Sequence, residues 1–273
     1  MKMSCLPVSL FGDICSGKME LVDWAREAKD MGYDGIDISI MFLKNRTPTY
    51  LAALKRQLNE IGMPIIMMTT YPDFTHPDSV QREREMLYLK ADVALASELG
   101  IRYLRILAGQ AHADVSREDC IKWVSDAFHE IDEYGKKFGV GLLFENHGKP
   151  GAWDKVDFTF DPQNFLAICR RIGDTDIQIN FDTGNITAHG EDPRDILPEV
   201  LERVETIHVT DMAQRGVFSP TVIGTGVTPN AEVFRMLKKA GFNKWLCIEE
   251  ASGHGLQGIR KAHDDVKKTW EEA

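Results

Sequence analysis

Residues 138–145, Phe138-Gly139-Val140-Gly141-Leu142-Leu143-Phe144-Glu145, combine a helix stop, a short apolar run and a charged end. Glycine takes the left-handed conformation at a helix C-terminus at little cost, and a short apolar run after it reads as a buried strand. Upstream, residues 116–138 carry apolar side chains at i, i+3 and i+4 spacing, and Ser116 with Asp119 three positions later starts that helix. The same junction recurs at Met31-Gly32-Tyr33, Ile61-Gly62-Met63, Leu99-Gly100-Ile101, Ile172-Gly173 and Ala240-Gly241-Phe242. Helices are expected over 18–31, 49–61, 79–99, 116–138, 162–172, 193–203, 230–240 and 258–270. Strands are expected over 5–11, 35–40, 64–68, 102–107, 140–145, 177–182, 205–209 and 245–249. Eight strands alternating with eight helices predict an α/β fold, a (β/α)8 TIM barrel forming one domain over residues 1–273. An open doubly wound sheet would carry a glycine-rich nucleotide loop after its first strand, and Phe11-Gly12-Asp13-Ile14-Cys15-Ser16-Gly17-Lys18 fits neither phosphate-binding pattern.

Composition sets the outer bounds. The 273 residues are 43% apolar and 27% charged, the range of ordinary globular protein. A formal charge of −10 argues against a partner held through a nucleic-acid backbone. No stretch approaches the ~20 continuous apolar residues of a membrane-spanning helix. Cys5, Cys15, Cys120, Cys169 and Cys247 show no paired spacing, so a reducing, cytoplasmic setting is expected.

Four successive strands end in residues that ligate metals: Glu145, Asp182, His208 and Glu249. Alternate residues of a strand face opposite sides. Ile177, Ile179 and Phe181 therefore face the helices, and Asp182 faces the axis. The same phase turns Glu145, His208 and Glu249 inward. In such barrels chemistry sits at the C-terminal strand ends. Three carboxylates crowded together repel one another, and a bound divalent cation relieves the repulsion. One nitrogen and several oxygens suit Mn2+ first, with Mg2+, Co2+ and Zn2+ as alternatives.

In Glu145-Asn146-His147-Gly148, Asp182-Thr183-Gly184-Asn185, His208-Val209-Thr210-Asp211, Gly224-Thr225-Gly226 and Ile248-Glu249-Glu250, the chain resembles the xylose isomerase-like TIM-barrel superfamily, the sugar phosphate isomerase/epimerase group. The resemblance implies one divalent metal on Glu145, Asp182, His208 and Glu249. It also implies a small carbohydrate or polyol substrate, with Glu145 and Glu249 as the acid/base pair beside a stabilised enediolate. A homo-oligomer is expected from the resemblance alone. Ketohexose 3-epimerases of this group have Glu where this chain has Gly151 and His where it has Asn185, and an arginine stands near Arg215. Asn185 and Arg215 are thus expected at the substrate. The endonuclease branch recruits extra histidines, but Asn185 and Gly224-Thr225-Gly226 occupy those regions, so no nucleic-acid partner is expected. A lyase acting on a keto-inositol, dehydroshikimate or 3-keto glycoside is the alternative to an isomerase or epimerase. A non-catalytic sugar-binding barrel is a third reading.

Other candidates lie around this set. His147 shares the phase of Glu145 nearer the mouth and either touches substrate or is a solvated loop residue. Trp153 is either a pocket wall or local packing. Asp211 either orients a ligand or caps its own loop. Arg105, in phase with Tyr103, faces the axis and either binds substrate or fills the barrel in an ion pair. Gly253-His254-Gly255-Leu256-Gln257-Gly258 either cradles an anion through its backbone or is a plain loop.

Overall fold

The apolar runs form eight parallel strands in the computed structural model, which describes Met1–Ala273. They are β1 (Lys2–Leu6), β2 (Ile36–Ser39), β3 (Ile65–Thr69), β4 (Tyr103–Ile106), β5 (Gly141–Glu145), β6 (Gln178–Asp182), β7 (Val204–Val209) and β8 (Trp245–Glu249). The helices are α1 (Phe11–Cys15), α2 (Leu21–Met31), α3 (Pro48–Ile61), α4 (Ser79–Leu99), α5 (Arg117–Phe138), α6 (Pro162–Arg171), α7 (Thr183–His189), α8 (Pro193–Ile196), α9 (Asn230–Lys239) and α10 (Gly255–Glu272). The hydrogen-bonded order β1-β8-β7-β6-β5-β4-β3-β2 curls into a nearly closed TIM barrel. Specific bonds join β1 to β2 across the seam. The Asp34 N–H donates to the Met3 carbonyl at 2.8 Å, and the Ser4 hydroxyl donates to Asp37 Oδ2 at 2.6 Å.

Helix ends follow the glycine junctions. Gly32, Gly62, Gly100 and Gly139 are all left-handed caps, at φ +95°, +74°, +74° and +66°. At the start of α5 the Ser116 hydroxyl accepts from the Asp119 N–H, a cap contributing about 1 kcal/mol. Phase along the strands sorts the core. Ile179, Phe181, Ile207 and Ile248 pack into the layer beneath the helices. Met67, Tyr103, Leu143, Trp245 and Cys247 form a separate cluster along the axis. This cluster fills the barrel and leaves the carboxyl ends of the strands to polar side chains.

Four expectations need correction. The first strand is Lys2–Leu6, not 5–11, because Pro7 ends it and residues 8–15 turn helically into α1. The single helix expected at 193–203 is the short α8 followed by two 3-10 turns, with Pro198 in the first of them. Proline supplies no N–H to continue a helix. Gly173 is not left-handed, and α6 closes at Ile172 instead. Finally, α7 starts directly after Asp182, in a segment without an expected helix.

No helix is long and apolar enough to cross a membrane.

Candidate active site

Glu145, Asp182, His208 and Glu249 meet at the carboxyl ends of β5 to β8, with one ligand atom from each within 4.8 Å of the others. The strand register brings them level, since Asp182 pairs with His208 across β6 and β7. His208 Nδ1 lies 2.8 Å from Glu145 Oε1 and 2.9 Å from Glu249 Oε2. That nitrogen carries one hydrogen at most, so it satisfies only one glutamate. Arg105 on β4 closes the far side, its Nε 2.9 Å from Glu145 Oε2. Arg105 thus makes the foreseen ion pair and also lines the cavity above the cluster.

Asp182 is held by its neighbours as well as by its strand. Its Oδ1 accepts from the Asn185 N–H at 2.6 Å, capping α7, and from the Thr210 hydroxyl at 2.9 Å. Asn146 clamps the Asp182 backbone at both N–H and carbonyl, at 2.9 and 2.8 Å. Glycine is required next door, because a Cβ on Gly184 would stand 2.1 Å from the Thr210 hydroxyl. These bonds aim the unpartnered Oδ2 of Asp182 into the cluster.

The charges are unbalanced. Burial, then the charges of Glu249 and Glu145, push the Asp182 carboxyl well above the ordinary range. Burial would also raise Glu145, but His208 and Arg105 outweigh it and hold that carboxyl at about 2. Burial likewise opposes ionisation of Glu249, and the His208 charge brings it below its ordinary value. Burial works against a charged His208, yet Glu145 and Glu249 raise it well above its ordinary value. The Oδ2 of Asp182 has no hydrogen-bond donor, and the close contacts at Glu145 Oε2 and Glu249 Oε2 miss hydrogen-bond direction. Buried acceptors left in this way fit a cation, and the oxygen-rich donor set suits a hard divalent ion. The cluster could therefore hold a metal ion.

A cavity of about 470 Å3 opens above the cluster. Arg105, His147, Asn185 and Glu249 line it. Burial, reinforced by Arg105 and only partly offset by Glu145, lowers the His147 imidazole to about 4, and its Nδ1 has no partner. Three other candidates lie elsewhere. Asp211 is buried with its carboxylate already saturated by the N–H groups of Gly224, Gly226 and Thr228, at 3.0, 2.8 and 3.0 Å. It shapes the loop after β7. Arg215 is exposed and donates to the Gly190 carbonyl at 2.9 Å, away from the cavity. Trp153 is buried within its own loop and does not line the cavity. The 253–258 segment does not line the cavity, and its Gly253 and His254 N–H groups donate to the Ser9 and Ser252 hydroxyls.

Several residues escape a reading of strand ends. Tyr71 lines the cavity, its hydroxyl between those of Ser39 and Thr69 at 3.0 and 3.1 Å. Asn146 and Thr210 fix Asp182, and their signal was adjacency to a ligand or to its neighbouring strand end. Asp157 is fully buried, its carboxyl raised well above the ordinary range by burial although Thr159 hydrogen-bonds to it. No sequence pattern separates it from other loop acids.

The chain belongs to the xylose isomerase-like TIM barrel family, whose model matches residues 25–270. Within that class it is similar to inosose dehydratase of Bacillus thuringiensis (strain Al Hakam), 24% identical over 248 residues, covering 80% of this chain and 78% of that protein. A D-tagatose 3-epimerase-like protein superposes with a TM-score of 0.80 at 17% identity, covering 100% of this chain and 98% of the other. A probable 3-DHS dehydratase from Bacillus anthracis gives a TM-score of 0.79 at 17% identity, covering 98% and 99%. At such identities the two structures establish the fold, and they span both epimerases and dehydratases.

Proposed function

We propose that the protein is a divalent-metal-dependent carbohydrate enzyme that removes the proton next to the carbonyl of a small keto sugar or keto polyol and then expels the neighbouring hydroxyl as water. Glu145, Asp182, His208 and Glu249 would hold the cation, with Mn2+ the first choice. Once bound, the cation supplies Lewis acidity at the carbonyl oxygen.

The observation that carries the reading is the asymmetry of the two glutamates. Glu249 is the only carboxylate lining the cavity, and its side chain keeps 17% exposure. Glu145 is fully buried between Arg105 and His208. One accessible base suits a sequence in which Glu249 takes the proton from the carbon beside the carbonyl. The carbon–carbon double bond forms as the β-hydroxyl leaves, and the same proton can depart with that hydroxyl as water. His147, neutral at pH 7, is positioned beside Glu249 to hydrogen-bond a substrate hydroxyl. Similarity to inosose dehydratase supports the same chemistry.

An isomerase or epimerase with Glu145 and Glu249 as its acid/base pair is the second reading. Both glutamates belong to the 4.8 Å cluster, which favours it. NMR of Mn2+-supplemented protein in D2O with a keto-inositol and with a ketohexose separates the two. The proposal predicts loss of water and an absorbing enone from the keto-inositol. A stereoinverted product labelled at one carbon, with no enone from either compound, would overturn it in favour of the epimerase.

A further inference from the structure

The cavity is too large and too lopsided for a simple keto sugar. A ketohexose of twelve non-hydrogen atoms fills roughly 200 Å3 at close packing, against about 470 Å3 here. Most polar groups stand on the side formed by β4, β5, β6 and β8, in Arg105, His147, Lys149, Asn185 and Glu249, and the Tyr71 hydroxyl after β3 is bonded to Ser39 and Thr69. An apolar wall is built by Leu6 at the end of β1 and by Val8, Phe11 and Met41 in the segments after β1 and β2, whereas Phe218, after β7, stands beside Gly148 and Asn185 on the polar side. Met41 is 47% exposed, so this apolar wall runs out to the rim.

We propose that the natural substrate is a keto sugar bearing an apolar substituent of aromatic size, with the sugar at the polar side and the substituent against Phe11 and Met41. This rests on the keto-sugar reading above and names the substrate class for that site. A second sugar would leave its hydroxyls against side chains that offer no hydrogen bonds, at a cost for each buried group. A phosphate would find Lys149 as the single exposed cation on the lining, and the N-terminal turn of α10 does not line the cavity. A flat apolar group instead covers surface that water would otherwise wet. Phe11 is braced edge-on by Phe42 with ring centroids 4.8 Å apart, which presents a fixed aromatic surface before any ligand arrives.

The test is solvent-deuterium incorporation, followed by NMR in the Mn2+-supplemented protein, with the 6-O-methyl, 6-O-phenyl and 6-O-(4-nitrophenyl) ethers of D-fructose, each of which keeps a hydroxyl β to its carbonyl. The expected result is a KM at least tenfold lower for the two aryl compounds than for the methyl compound, at similar kcat. Met41→Ala, at a half-exposed position that does not threaten folding, should raise the aryl KM several-fold more than the methyl KM. Equal KM values for methyl and aryl compounds, with all three exchanging, would overturn the substituent while leaving the keto-sugar reading intact. Absence of exchange from all three compounds and from the free keto sugars would overturn that reading and this inference with it.

Discussion

The two halves of the barrel mouth are built from opposite materials. Strands β5 to β8 end in Glu145, Asp182, His208 and Glu249, all turned to one point. The end of β1 and the segments after β1 and β2 contribute Leu6, Val8, Phe11 and Met41, and Ser39 and Thr69 at the ends of β2 and β3 are both bonded to the Tyr71 hydroxyl. The contrast separates two tasks. Charge is concentrated where strands enforce position to within a hydrogen bond, and shape is provided by the loops, where substitution disturbs little of the frame. A barrel can thus keep one reactive centre and alter what it accepts by changing the other half.

Changing the polar half should have the largest effect. Glu249→Gln removes the single carboxylate facing the cavity, and kcat/KM is expected to fall about 10³-fold, the scale of a lost general base. Steady-state assays with any turned-over keto sugar measure it, and a loss below tenfold would remove Glu249 from that role. Arg105→Met comes next. It leaves Glu145 buried with one charged neighbour fewer, which costs about 3–5 kcal/mol in urea unfolding. On the other half, Met41→Ala should change stability by no more than about 0.5 kcal/mol. Equal costs at the two positions would erase the comparison.

A pH-dependent effect concerns the barrel floor. Asp37 is buried, and burial lifts its carboxyl from 3.8 to about 6, although Ser4 hydrogen-bonds to it. The folded protein thus holds this proton more tightly than the unfolded chain does. The resulting stabilisation is complete below the unfolded value and fades as pH rises through about 6. Linkage gives ~3 kcal/mol for that span. Asp37→Asn should therefore flatten the stability profile between pH 4 and pH 8, measured by urea midpoints at each pH. A profile unchanged by the substitution would contradict it.

What the sequence reveals follows the same division. Strand phase alone turns Glu145, Asp182, His208 and Glu249 inward, because a buried strand has a strict period of two. Arg105 was readable by the same phase, in step with Tyr103, although its partner Glu145 was not. Loops have no such period. Asp211, Arg215 and Trp153 lie in chemically suggestive places, yet backbone N–H groups, a carbonyl and local packing claim them. The apolar wall was hidden for a related reason: Phe11 and Met41 come from separate segments that only the folded barrel brings onto one cavity. The helix α7 was missed because seven residues carry too little periodicity, although Asp182 as its cap and Gly190 as its stop both mark it.

Calorimetric titration of Mn2+ into metal-stripped protein, beside Asp182→Asn and His208→Ala, tests the shared centre most directly. The account predicts one ion per chain, proton release as the raised Asp182 carboxyl gives way, weaker binding at pH 5 than at pH 8, and at least a hundredfold loss of affinity in both variants. Binding of equal strength in wild type and variants, or no saturable binding at pH 8, would contradict it.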